Sequence, residues 1–186
     1  LTVEDVNRLS TNLNTALIEH GYVTSRIGIP SQSLASGNLQ FNLQLGRVES
    51  VLYKTYAQPL PWQNTFPIRE GDILNIRNIE QGTEQMKRIG SQNVSVELEP
   101  GTKPLATNIV LETTKKTPIH GMISIDDSGL KDTGKLQWTA AIGVDRVFNA
   151  NDSLNLSINR DAAQDGERKG SRNHTISYSI PRGKDT

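Results

Sequence analysis

Cysteine is absent from the 186-residue chain, which excludes disulfide bonds and thiolate chemistry. The chain also lacks an excess of either charge, because 20 basic residues balance 20 acidic ones. Without a strong electrostatic field, a nucleic-acid partner is disfavoured. His20, His120 and His174 are far apart and have no ligand-spaced partner, which favours solvated histidines over a metal site. The residue pattern therefore predicts no catalytic, cofactor or metal site and no small-molecule substrate.

Long apolar runs are missing as well. No segment approaches the roughly 20 apolar residues of a membrane-spanning helix, and the chain does not open with a signal segment. Aromatic residues make up 5% of the chain and apolar residues 34%, while Asn, Ser, Thr, Gln and Gly are abundant, which is typical of a secreted or surface β protein. Any membrane crossing would have to use strands.

The first part of the chain predicts a small α/β unit. Thr2 and Asp5 have the spacing of a capping box, and an apolar stripe then continues to a helix end near His20. Gly21 provides the C-terminal stop. Alternating apolar residues predict two following strands, Val23–Ile29 and Leu39–Leu45.

This unit is repeated about 70 residues later. Gly21 and Gly90 are 69 residues apart, and Asn38 and Asn108 are 70 apart. That offset predicts two copies of one fold. The second copy has these predicted parts: a strand Arg47–Tyr56, a short helix Pro61–Phe66, a helix capped by Asn75, and strands Val94–Leu98 and Asn108–Thr114. Gly82 lies inside the second helix, where we expect close packing of the helix against the sheet as its reason.

The first copy lacks the opening half that the second copy has. This difference indicates an internal part of a longer protein.

After Pro118 the pattern changes to strict alternation. Three segments show it clearly: Leu136–Val144, Leu154–Ile158 and Ile176–Ile180. Each has one apolar face and one face of small or polar residues, as strands do that face lipid on one side and a wet lumen on the other. Half-buried strands of soluble proteins also alternate. About four strands cannot close a barrel, so further strands are expected after Thr186.

Three blocks of sequence carry a resemblance to a known family. Residues 21–51 and 68–89 resemble the POTRA domains of two-partner secretion transporters, and residues 125–161 resemble the first barrel strands of the same family. Asp127 stands where that family usually has Asn. The resemblance implies α+β POTRA domains of β-α-α-β-β order, followed by antiparallel strands of an outer-membrane β-barrel.

The resemblance also implies a domain division and a function. The expected parts are the end of a first POTRA domain (1–46), a second POTRA domain (47–116), a linker (117–121) and barrel strands (122–186). The POTRA domains would bind an unfolded exoprotein in the periplasm through its N-terminal secretion domain. The barrel, surrounded by outer-membrane lipid, would export that exoprotein without ATP.

We expect binding at exposed sheet edges and the helix groove beside them, because an unfolded segment can add a strand there. The candidate residues are Val23, Thr24, Ser25, Arg26, Ile27, Val94, Ser95, Val96, Glu97 and Leu98. Their inward apolar side chains are better explained as core, which leaves the backbone edge as the binding element. Two other functions remain open: a barrel-assembly factor of the same superfamily, and a soluble surface adhesin.

Overall fold

The computed structural model describes residues 2–32, 37–54, 61–127, 129, 135–162 and 172–181. The chain divides into two compact units. The first is built from residues up to Gln85 together with Val94–Thr113, and the second from Met86–Asn93 together with most residues from Thr114 onward.

Helix α1, Val3–Glu19, begins at the capping box that the sequence predicts. The Asp5 backbone N–H donates to Thr2 Oγ1 at 3.2 Å, and the Thr2 N–H donates to the Asp5 carboxylate at 3.0 Å. These hydrogen bonds hold the pKa of Asp5 below its ordinary value. Gly21, with φ of +91°, ends the helix after His20.

Two short strands follow α1, and they are shorter than the alternation predicts. Strand β1 is Arg26–Gly28 and strand β2 is Asn42–Gln44, and they pair antiparallel. The predicted strand Val23–Ile29 loses its first three residues to a turn, in which the Ser25 N–H donates to the Tyr22 carbonyl at 3.1 Å. A backbone bent into that turn cannot continue the ladder.

The second repeat contains a three-stranded sheet. Its elements are β3 (Arg47–Tyr53), a 3₁₀ turn (Trp62–Asn64), helix α2 (Ile76–Lys87), β4 (Gln92–Pro100) and β5 (Ala106–Lys115). The strand order is β3-β5-β4, with β3 parallel to β5. The Asn75 side-chain oxygen accepts from the Arg77 N–H at 2.9 Å, so Asn75 caps α2 as predicted.

Gly82 has a packing reason, although its partner is not a strand. Phe66 is fully buried, and a Cβ added to Gly82 would lie 2.5 Å from the Phe66 ring. Only glycine lets helix α2 approach that ring so closely. Leu74 and Ile109, both fully buried, contribute to the same core.

The two α/β repeats contact each other within the first unit. Asn75 Nδ2 donates to the His20 carbonyl at 3.1 Å, and the Arg77 guanidinium donates to the Glu19 carbonyl at 2.9 Å. Both carbonyls lie at the C-terminal end of α1, where a helix leaves its last acceptors without intrahelical partners. Two side chains at the start of α2 therefore donate hydrogen bonds to the carbonyl groups at the end of α1.

The second unit contains a four-stranded antiparallel sheet in chain order. Its strands are β6 (Ile119–Asp126), β7 (Gln137–Asp145), β8 (Ser153–Asp161) and β9 (Arg172–Ser179). Strand β6 starts inside the predicted linker 117–121, because Ile119 and Gly121 already pair with Val144 and Ile142. Most residues between β6 and β7 and between β8 and β9 lie outside the described residues.

Candidate functional site

The strand register gives the four-stranded sheet two chemically different faces. One, which we call the apolar face, carries mostly apolar side chains: Ile119, Gly121, Ile123, Ile125, Trp138, Ala140, Ile142, Val144, Leu154, Leu156, Ile158, Arg160, Arg172, His174, Ile176 and Tyr178. Ile123 is 81% exposed and Ile176 75% exposed. A surface of large exposed aliphatic side chains on every strand needs an apolar environment.

The opposite face of this sheet carries mostly polar or small residues, with the exposed Met122 as a large apolar exception. Thr139, Asn159 and Thr175 belong to it, and Asn159 Nδ2 donates to Thr139 Oγ1 at 2.8 Å. The strand registers therefore place most apolar residues of all four strands on one face and most polar residues on the other. This is the arrangement of a membrane barrel wall, with lipid on one side and water on the other.

The turn between β7 and β8 is organised by a buried carboxylate that the sequence analysis did not single out. Asp152 is fully buried, and it accepts from the Phe148 N–H and the Ala150 N–H at 3.0 Å each. The Tyr178 hydroxyl also donates to it at 3.1 Å, while the Phe148 and Tyr178 rings meet edge to face at 5.9 Å. The Asn-rich run before Asp152 was the available signal, since Asn and Asp favour turns.

The environment of Asp152 favours its charged form. Burial by itself raises the pKa of a carboxyl group, but here the backbone N–H donors and the Tyr178 hydroxyl outweigh burial. Together they hold the pKa of Asp152 below its ordinary value. The turn therefore contains a permanent negative charge at neutral pH.

Within the second unit, the same turn contacts the segment Met86–Asn93. The Ser91 N–H donates to the Asp145 carboxylate at 3.0 Å, and Gln92 Nε2 donates to Asn151 Oδ1 at 3.0 Å. The Lys116 N–H donates to the Ser91 carbonyl at 2.7 Å. These hydrogen bonds join the segment Met86–Asn93 to the end of the sheet at the β7–β8 turn.

Strand β4 carries the second set of predicted binding residues, and it is an edge strand. Its described neighbour in the sheet is β5 alone. Val94 is buried, whereas Ser95, Glu97 and Leu98 are exposed. The Lys54 ammonium lies 3.5 Å from Glu97 and 3.6 Å from Glu112, and attraction to Glu112 and then Glu97 raises the pKa of Lys54. These exposed pairs contribute little to stability.

The edge of β1 is already occupied by a side chain of helix α1. Asn14 Nδ2 donates to the Ile27 carbonyl, and the Ile27 N–H donates to Asn14 Oδ1, both at 2.9 Å. Arg26 and Gly28 lie opposite Gln44 and Asn42 in β2. The Asn14 amide thus makes the two hydrogen bonds that an added strand would make with Ile27.

Val23, Thr24 and Ser25 lie in the turn before β1. Ser25 is buried, and its hydroxyl accepts from the Gly46 N–H at 3.0 Å. A Cβ at Gly46 would lie 2.6 Å from the Thr24 Cβ, so this turn packs closely against the start of β3. The geometry gives Thr24 and Ser25 a packing environment, and a binding role for the three residues stays a prediction.

Across the described ranges, no group of three or more His, Asp or Glu side chains is placed to hold a metal ion. His20, His120 and His174 lie on α1's C-terminal end, β6 and β9 respectively. Neither α1 nor α2 combines the length and the apolar character that a membrane-spanning helix needs.

Three family models match consecutive parts of the chain. An ShlB-type POTRA domain model matches residues 1–46, another POTRA domain model matches residues 47–100, and the model of the haemolysin secretion/activation proteins ShlB/FhaC/HecB matches residues 106–186. The outer membrane transporter CdiB-2 of Burkholderia pseudomallei is 38% identical over 97% of this chain and 31% of its own length. The chain belongs to this transporter family.

Other family members are similar along the whole chain. The hemolysin transporter HpmB of Proteus mirabilis is 30% identical over 96% of this chain and 31% of its own length. The structure of CdiB from Escherichia coli matches with a TM-score of 0.83 and 28% identity, over 98% of this chain and 34% of that one. CdiB from Acinetobacter baumannii matches with a TM-score of 0.85, 27% identity and the same coverage of both chains.

The expected fold is confirmed by these relatives: POTRA domains followed by antiparallel barrel strands. BamA from Haemophilus ducreyi, with a TM-score of 0.52 and 15% identity, shares the fold alone. The chain spans about a third of the transporters it matches, namely 31% of CdiB-2. Like these transporters, it is a protein of the Gram-negative outer membrane, with its POTRA units in the periplasm.

Proposed function

We propose that this chain is the client-binding and first barrel-forming part of a two-partner secretion transporter. The POTRA units recognise an unfolded exoprotein through its N-terminal secretion domain in the periplasm. The barrel that begins at β6 exports the exoprotein without ATP. Binding and translocation, and no chemical reaction, are the proposed activities.

The observation that carries this proposal is the continuous apolar face of β6–β9. Ile123, Ile142 and Ile176 lie exposed on it, while the other face offers Thr, Ser and Asn side chains. Lipid acyl chains fit the apolar face, and a hydrated lumen fits the polar one. A soluble adhesin would leave this apolar surface in water, where it promotes aggregation.

Within the POTRA units, the β4 edge is the better supported place for the client. Strand β4 is the last strand of the described sheet order, and Ser95 and Leu98 on it are exposed. A client strand could extend the sheet there through main-chain hydrogen bonds. At β1 the client would first have to displace the Asn14 amide from Ile27.

Two proline variants test the β4 edge. Successive N–H groups of a strand point to opposite sides, so proline at Ser95 and proline at Val96 remove donors from the two sides of β4. Hydrogen exchange of β5 amides identifies which variant keeps the β4–β5 ladder. We expect that variant to retain its fold and to lose roughly tenfold in affinity for the exoprotein's secretion domain, because a short added strand loses a main-chain hydrogen bond and its register.

Proline at Gly71, on an exposed turn, is an unsuitable control because Gly71 has a φ of +88°. Glu70→Pro is the better match, because Glu70 is the exposed second residue of the turn Arg69–Asp72, a position where proline is common. Unchanged affinity in the ladder-preserving β4 variant would contradict edge pairing. A proline at Ser25 is less informative, since it would break the hydrogen bond to the Tyr22 carbonyl inside a turn.

A further inference from the structure

Two arginines face each other at one end of the apolar face. Arg160 of β8 lies directly opposite Arg172 of β9, and Trp138 of β7 lies directly opposite Arg160 on the other side. The next row toward the β7–β8 turn contains Ile158 and His174. The three residues therefore form a basic and aromatic row that borders an aliphatic surface.

This pair of like charges has no anion to compensate it in the described part of the chain. Directly opposed like charges destabilise a sheet. Neither guanidinium forms an ion pair with a carboxylate of the described residues, and the buried Arg160 Nε has no hydrogen-bond partner there. Two adjacent guanidinium groups present paired N–H donors that match phosphate oxygens.

The row lies at the end of the sheet that faces away from the periplasm. Strand β6 follows directly from β5 of the POTRA repeat, and its first residue, Ile119, pairs with Val144 beside the β7–β8 turn, so that turn is at the periplasmic end. From Tyr178 to Arg172 the strand rises about 20 Å, or roughly 15 Å along the membrane normal at the usual tilt. Arginine side chains reach further by extending toward the polar interface, and tryptophan favours the same level.

We propose that Arg160 and Arg172, with Trp138 beside them, bind a phosphate of the phosphorylated glycolipid in the outer leaflet, the lipid A part of lipopolysaccharide. The guanidinium pair binds the phosphate, and the adjoining aliphatic surface of Ile158 and Ile123 contacts acyl chains. The anion offsets the repulsion between the two arginines. This site goes beyond the export function, because it binds lipid at the outer surface of the barrel.

The test measures lipid A binding to the protein purified from outer membranes in detergent, by titration with native mass spectrometry. We expect the double variant Arg160→Gln/Arg172→Gln to weaken binding about 100-fold, at roughly tenfold per arginine. The variant Arg160→Lys/Arg172→Lys keeps the charge and loses the paired donors. Its affinity for lipid A should lie between those of the parent and the double glutamine variant. Arg8→Gln/Lys87→Gln removes the same charge from the exposed POTRA surface and should bind lipid A as the parent does.

Two further arms use the unaltered protein, so they do not depend on variant folding. Dephosphorylated lipid A should bind as weakly as the double glutamine variant binds intact lipid A. Phosphatidylglycerol should bind at least tenfold more weakly than lipid A, and inorganic phosphate should not displace lipid A. Equal binding of dephosphorylated lipid A, or equal binding of phosphatidylglycerol, would overturn the proposal.

Discussion

Asp152 shows how much of this structure depends on single polar side chains. Its carboxylate accepts from the N–H groups of Phe148 and Ala150 and from the Tyr178 hydroxyl. Arg146, Asn149 and Asn151 in the same turn have positive φ. A non-glycine residue in that conformation costs free energy, so the hydrogen bonds to Asp152 must stabilise the turn against it.

Asp152→Asn should loosen this turn. Because the pKa of Asp152 is lowered in the folded protein, its contribution to stability is full above its ordinary value of 3.8 and is lost as the pH falls through the folded pKa. At pH 7 we expect the variant to lose about 1–3 kcal/mol of local stability. Amide hydrogen exchange at Phe148 and Ala150 measures this, at pH 7 and again below pH 3.8.

The matched control is Asp127→Asn, because Asp127 is an exposed carboxylate just beyond the end of β6. It should leave the protection of Phe148 and Ala150 unchanged. If Asp152→Asn also left them unchanged at pH 7, the carboxylate would not be what holds the turn.

At the scale of the elements, β1 is a short strand whose edge is guarded by a helix. The Asn14 amide binds both the N–H and the carbonyl of Ile27, at 2.9 Å each. Edge strands that are left open invite pairing with other chains, and a side-chain cap is one way to prevent it. A client that pairs with β1 therefore competes with Asn14.

Asn14→Ala should open the β1 edge. We expect the Ile27 amide to exchange about five- to tenfold faster, since one hydrogen bond is worth about 1 kcal/mol. Asn7→Ala is the control, because Asn7 is an exposed asparagine of the same helix. Equal exchange at Ile27 in the two variants would show that the Asn14 contact does not protect this edge.

The sequence predicted some elements well, for identifiable reasons. The capping box of Thr2 and Asp5 and the stop at Gly21 are local signals, so the bounds of α1 agree closely with the prediction. The alternation of β7, β8 and β9 also appears in the structure, because a sheet with two different faces requires it.

Features that depend on distant residues were not predictable. The turn at Tyr22–Ser25 shortens β1, and nothing in the alternation from Val23 onward indicates it. Asn14 is one polar residue of a helix, and its role needs the position of Ile27, 13 residues away. The opposition of Arg160 and Arg172 depends on the register across a loop. No residue pattern in the chain identifies the client.

At the scale of the whole molecule, the chain has two kinds of surface that suit a transporter: a sheet edge and an apolar sheet face. Strand β4 is an edge strand, where we propose that an unfolded client pairs, and the sheet β6–β9 has an exposed apolar face that suits lipid. CdiB and HpmB are similar to the chain along nearly its whole length. A dedicated exporter and a general barrel-assembly factor would share this design and differ in the range of their clients.

The secreted and outer-membrane proteomes, compared with and without the gene, test export most directly. We predict the loss of one large exoprotein from the medium, with outer-membrane barrels unchanged, and its recovery when the gene is restored. Broad depletion of outer-membrane barrels would contradict a dedicated exporter and indicate an assembly factor. An unchanged pair of proteomes would contradict both and favour the adhesin.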